Sequence, residues 1–179
     1  LLFNIKLPIN FNSPFKSLSM IDFWRRWHIT LSNFLMNYIY FPWLKSLKSI
    51  SFFKTMLVTF FVFLIAGIWH GPSWLYVIFG TMHGIGLIIN HTFNKYFDLN
   101  FNKYVAWFLT FNYVNLTLIF FRSKTLESSV DIIKSMLGLK GVDISNLTNI
   151  SLFLFIIFFV AIILSFFFKN TNYLVENYN

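Results

Sequence analysis

Cysteine is absent from this 179-residue chain, which excludes disulfides, thiolate metal sites, Fe–S clusters and thiol nucleophiles. Charge is scarce too: Asp, Glu, Lys and Arg make up 11% of the residues, against roughly 25% in an average soluble domain. A water-soluble globule is therefore not expected. The acids are fewest, 6 against 14 Lys and Arg, and paired carboxylates, glycine-rich phosphate loops and serine-nucleophile elbows do not appear. None of the four histidines lies three or four residues from another, the spacing of a helical ligand pair, so no resident metal and no bound cofactor is expected. The chain opens on Leu1, and no basic segment followed by an apolar stretch and a small-residue cleavage site is visible. It reads as a fragment of a longer protein.

What is present is apolar surface. Hydrophobic residues make up 57% of the chain and aromatic residues 22%. From Thr55 to Asn94 forty residues carry no Lys, Arg, Asp or Glu; eighteen do so from Tyr104 to Phe121 and nineteen from Ile150 to Phe168. Each run approaches or exceeds the ~20 apolar residues that cross a hydrocarbon core. The basic residues cluster beside these runs, at Lys45, Lys48 and Lys54 for example, where anionic headgroups and the positive-inside bias place them. The formal charge of +8 thus points to a lipid bilayer and not to nucleic acid. The fold class expected is all-α, a polytopic transmembrane helical bundle forming one membrane domain over residues 1–179. Spans are expected at about residues 53–69, 73–90, 105–121 and 150–168.

Residues 1–17 mix apolar side chains with Pro8, Pro14, Asn and Ser, an irregular approach. Ser19 stands three residues before Asp22, which predicts a capped helix from about Met20. That helix is expected to run on through the uncharged stretch Ile29–Tyr40 and to end at Pro42. Over about residues 20–44 Asn33, Asn37, Tyr38 and Tyr40 favour an interfacial or re-entrant segment over a full crossing. Gly71-Pro72 breaks the forty-residue run, Gly80 and Gly84 have the spacing of close helix approach, and Leu126–Leu139 reads as a short amphipathic helix outside the core.

Ionisable groups inside such segments are costly and are functional candidates by default. His70 sits at the Gly71-Pro72 break between Trp69 and Trp74, where freed backbone groups must find partners or line a wet cavity. A neutral imidazole there can take a proton near neutral pH. The plainer reading, an interfacial histidine in a Trp-rich turn, has equal weight from the residues alone. His83, between Gly80 and Gly84, reads more readily as polar glue in a tight helix crossing than as a substrate-binding group. His91 closes its span and meets water. Arg25 and Arg26 between Trp24 and Trp27, just before His28, are either an interfacial anchor or a fork for an anionic acyl donor; Asp22 is placed to pair with one of them.

Three ordered segments resemble the membrane-bound O-acyltransferase family, in the bacterial branch with the alginate O-acetyltransferases and the D-alanyl transfer proteins of teichoic acid. They are Asn12-Ser13-Pro14-Phe15 with Ser17-Leu18-Ser19 and Asp22 to Ser32 through Trp24-Arg25-Arg26-Trp27-His28; Gly67-Ile68-Trp69-His70-Gly71-Pro72-Ser73-Trp74 continuing to Phe79-Gly80-Thr81-Met82-His83-Gly84; and Phe120-Phe121-Arg122-Ser123. The resemblance covers about Phe11 to Gly138. It departs at Met36-Asn37-Tyr38, where the family has Arg-Asp-Tyr, and at Phe41-Pro42-Trp43-Leu44, which lacks the family's paired glycines.

The resemblance implies that this chain is the C-terminal part of a multi-pass enzyme of the bacterial inner membrane. It would move an acyl group, acetyl foremost, from a thioester donor such as an acyl-CoA or acyl carrier protein onto a hydroxyl of an extracytoplasmic polysaccharide or related alcohol. It further implies a catalytic role for His70 and a place for His28 in the same site, with Arg25, Arg26, Trp69 and Trp74 as substrate-binding neighbours. The competing expectation, prompted by Met36-Asn37 and by the family's N-terminal spans that do not appear here, is a non-catalytic scaffold or export component with the same fold.

Overall fold

A computed structural model describes residues 7–97, 101–141 and 152–177. Among these every regular element is helical. The chain divides into two compact units, Leu1–Ser129 and Val130–Asn179.

The first unit is built on an antiparallel pair. Helix α4 (Phe52–Trp69) is apolar on every face and α5 (Trp74–Tyr96) returns along it. What lets them touch is glycine facing glycine: a Cβ added to Gly67 would lie 2.9 Å from the Gly80 Cα and would overlap the Tyr76 carbonyl oxygen. The spacing Gly80-Gly84 thus finds its partner in α4, where Gly84 meets the Phe60 backbone. Helix α6 (Lys103–Arg122) packs on the other side of α5, and Tyr113 donates its hydroxyl to the Met82 carbonyl at 2.7 Å. Both α4 and α6 are long and apolar enough to cross a membrane. The helices α4, α5 and α6 overlie the first three expected spans.

Over this pair lies the segment expected to be one helix. Helix α1 (Met20–Arg26) begins where Ser19 predicts, its hydroxyl accepting the Asp22 N–H at 3.0 Å. It stops at Trp27, however, and His28 turns the chain with φ 44° before α2 (Ile29–Phe34). Pro42 does not end the helical segment either. Residues Leu35–Tyr40 widen into a π turn, in which the Phe41 N–H reaches back to the Met36 carbonyl, and α3 (Phe41–Ser46) continues beyond it. A proline ring clashes with the carbonyl four residues back, and the wider turn just before Pro42 relieves that crowding.

Two buried clusters hold these layers together. Met20 and Phe23 of α1 meet Leu87 of α5 and Val114 of α6, while Leu35 meets Val58, Val62 and Ala66 of α4. Burying each such side chain contributes roughly 1.5–3 kcal/mol if the alternative is water, and far less if it is lipid, which is as apolar as leucine. Close packing and the polar bonds described below therefore fix the arrangement more than solvent exclusion does.

Helix α7 (Leu126–Met136) opens with Thr125 and Ser128 exchanging backbone-to-hydroxyl bonds at 3.1 and 3.2 Å and is amphipathic, as its sequence predicts. In the second unit Lys140 pairs with Asp131 at 2.7 Å. That unit also holds α8 (Leu152–Phe167), apolar and 16 residues long, and the short α9 (Thr171–Asn177). The expected start of the fourth span at Ile150 and the first six residues of the irregular approach lie outside the described residues.

Candidate active site

The break between α4 and α5 is a designed stop. The His70 N–H bonds the Gly67 carbonyl and the Gly71 N–H the Ile68 carbonyl, each at 3.1 Å, tightening the last turn of α4. Gly71 then adopts φ 145°, which an L side chain rarely tolerates, and Ser73 caps α5 by accepting the Leu75 N–H at 3.2 Å. The geometry leaves the His70 ring half-buried among aromatics. Phe121 lies edge-on at 5.0 Å, Trp69 at 5.0 Å, Phe79 at 5.9 Å and Tyr76 at 6.0 Å between ring centroids. Burial lowers the pKa of His70 below the ordinary imidazole value, and the charge of nearby His28 lowers it further. Both influences favour the neutral ring, which keeps a lone pair for a proton.

His28 reaches the same neighbourhood from the α1–α2 turn. Its left-handed backbone is over-determined from outside: Asn10 accepts the Ile29 N–H at 2.9 Å with its carbonyl, and the Thr30 N–H and hydroxyl at 3.1 and 2.9 Å with its side chain. Asn12 donates its N–H to the Arg26 carbonyl at 2.9 Å, and the Ser32 hydroxyl donates to the Trp24 carbonyl at 3.2 Å. Strained backbone that is clamped in this way is characteristic of functional turns. The His28 Nδ1 atom is buried with no hydrogen-bond partner among the described residues. Such an atom is costly to leave unpaired and is suited to a substrate group.

The two arginines differ in their surroundings. Arg26 Nε lies 2.8 Å from Asp22 Oδ1, the pairing that the spacing predicts for one of them. Arg25 is exposed and close enough to His91 for its charge to act there. Trp69 and Trp74 flank the break with 65% and 81% of their surface exposed, so their indole faces are open to lipid or ligand.

Sequence reading left His83 without partners, and the structure supplies them. It is 1% exposed, and Trp24 donates its indole N–H to Nδ1 at 3.2 Å while Nε2 lies 3.0 Å from the Thr117 hydroxyl. Phe79 is marked in the sequence only as part of the second motif, without a role of its own. Asn10, an asparagine in an irregular stretch, and Thr117, a threonine in an apolar helix, carry no distinguishing signal.

Against known proteins, residues 2–130 match the family model described as MBOAT, membrane-bound O-acyltransferase family. The chain is 46% identical over 153 residues to a peptidoglycan O-acetyltransferase of Helicobacter pylori, covering 83% of this chain and 28% of that protein. It is 31% identical over 152 residues to a probable alginate O-acetylase of Pseudomonas aeruginosa, covering 85% and 29%. A teichoic acid D-alanyltransferase of Streptococcus thermophilus is 34% identical over 141 residues, covering 67% and 34%. The chain thus spans about a third or less of the length of these relatives.

Proposed function

The chain belongs to the membrane-bound O-acyltransferase family, and on that premise we propose that its protein transfers an acyl group, acetyl foremost, onto a hydroxyl of a cell-surface polysaccharide. What supports this reading is a half-buried imidazole, His70, at a helix break inside the matched residues, enclosed by Trp69, Phe79 and Phe121, with His28 near enough for its charge to act on it. The names of the relatives supply the substrate class: peptidoglycan and alginate for the O-acetylases, teichoic acid for the D-alanyltransferase.

Chemically, the free nitrogen of His70 takes the proton of the acceptor hydroxyl as its oxygen attacks the acyl carbonyl carbon. The donor is proposed to be a thioester, an acyl-CoA or an acyl carrier. The tetrahedral adduct then collapses, the C–S bond breaks, and the imidazolium returns its proton to the departing sulfur. The proposed role of His28 is to position or polarise the reacting oxygen, and its buried Nδ1, without a partner among the described residues, supports that role. Arg25 offers a guanidinium to an anionic donor, and Trp69 and Trp74 offer aromatic faces to the acceptor. The proposed location is the bacterial inner membrane, multi-pass, with the donor arriving from the cytoplasm and the acceptor on the far side. The test is the ester-linked acyl content of the cell-surface polymer in a deletion strain. Loss of the esters, restored by the complete gene, is expected; unchanged content would replace the enzyme with a scaffold.

A further inference from the structure

His83 is the one fully enclosed imidazole among the described residues, and both of its nitrogens are engaged. An indole N–H is a donor only, so the Nδ1 that faces Trp24 must be the bare, accepting nitrogen. The proton of the neutral ring therefore sits on Nε2 and is donated to the Thr117 oxygen. Thr117 keeps its own hydroxyl proton for the Val114 carbonyl, at 2.7 Å. The relay runs from α1 through α5 to α6 with every donor and acceptor matched, and it leaves His83 no free site for a substrate proton.

Two paths lead outward from this ring to the candidate active site. Trp24 belongs to the helix that ends at the His28 turn, and its carbonyl accepts the Ser32 hydroxyl from the far side of that turn. Phe79 lies edge-on to His83 at 4.4 Å and contacts His70 at 5.9 Å, with Phe121 closing the cluster at 5.0 Å from both Phe79 and His70. His83 thus touches the supports of both histidines and neither histidine itself.

We propose that His83 is a positioning residue, an imidazole locked as the Nε2–H tautomer between Trp24 and Thr117 that sets the place of His28 relative to His70. The proposal rests on the acyl-transfer reading, which the His70→Ala variant tests separately. The experiment compares His83→Leu, Thr117→Val and Thr117→Ser in the complete gene, assayed in native membranes at equal protein. For His83→Leu and Thr117→Val the expected result is a fall in kcat of at least about tenfold, from misplacement of reacting groups, with KM changed less than about twofold and the acid limb of the pH profile where the wild type has it. Thr117→Ser, which keeps the hydroxyl, is expected to stay within about threefold of wild type by the same argument. Wild-type kcat per molecule in smaller protein amount would reduce His83 to a purely structural group, and loss of a pH limb would make it a proton-transfer group; either overturns the proposal. If His83→Leu fails to accumulate, the threonine pair decides, since equal rates for Thr117→Val and Thr117→Ser also overturn it.

Discussion

His28 holds φ 44° in a position that sequence reading assigns to continuous helix. Nothing in Trp27-His28-Ile29 announces a left-handed residue, because the bonds that enforce it come from Asn10 and Ser32, eighteen residues before it and four after. His70, by contrast, is legible, since Gly71-Pro72 marks the break locally and any uncharged imidazole there draws notice. Its lowered pKa sets a pH dependence with a definite sign. On the proposed mechanism the neutral ring is the working form, so activity falls only as pH drops through a pKa below the ordinary 6.5. We expect the acid limb of kcat/KM to have its midpoint below that value, read from initial rates across about pH 4.5–8.5, two units on either side of an ordinary imidazole. A midpoint above it would place the titrating group elsewhere. At the neighbouring arginines the expectation divides. Arg25→Gln should raise the KM for an anionic donor by several-fold, the worth of about 1 kcal/mol. Arg26→Gln should act mainly by freeing Asp22, and a partly exposed pair of that kind contributes only ~0–1 kcal/mol of stability.

At the level of elements, the helices α4, α5 and α6 over the uncharged runs follow from hydrophobic length and from caps at Ser51, Ser73 and Asn102. Pairing is only half written there. The Gly80-Gly84 spacing declares a close approach, yet that α4 is the partner through Gly67 emerges only when the two backbones meet. A methyl group at either glycine has nowhere to go, because what it strikes is backbone and not the end of a flexible side chain. Gly80→Ala should therefore cost ~1–3 kcal/mol or more, seen as a lower melting temperature of the detergent-solubilised protein and a smaller membrane-inserted fraction. A stability unchanged from wild type would mean that α4 and α5 do not cross at this point. The π turn before Pro42 was not legible, since a proline within a helical pattern ordinarily reads as an end, and only the backbone shows the extra residue that makes room for it.

For the molecule as a whole, hydropathy and the three ordered motifs establish the class and the family, and the match over residues 2–130 agrees with both. What they leave open is assembly: which side chains from distant motifs converge. His70 and Phe121 stand in separate motifs and meet at 5.0 Å because α6 packs beside α5, and His28, from a third motif, comes near enough for its charge to act on His70 because α1 packs on α5. Long-range convergence of this kind is fixed by tertiary contacts that no local pattern encodes. The proposed chemistry depends on the imidazole at the break. In native membranes carrying the complete gene, His70→Ala at wild-type protein amount is predicted to lower acyl transfer at least about a hundredfold, the usual worth of a general base, while membrane insertion is unchanged. A variant that inserts normally and acylates the polymer at near wild-type rate would contradict it.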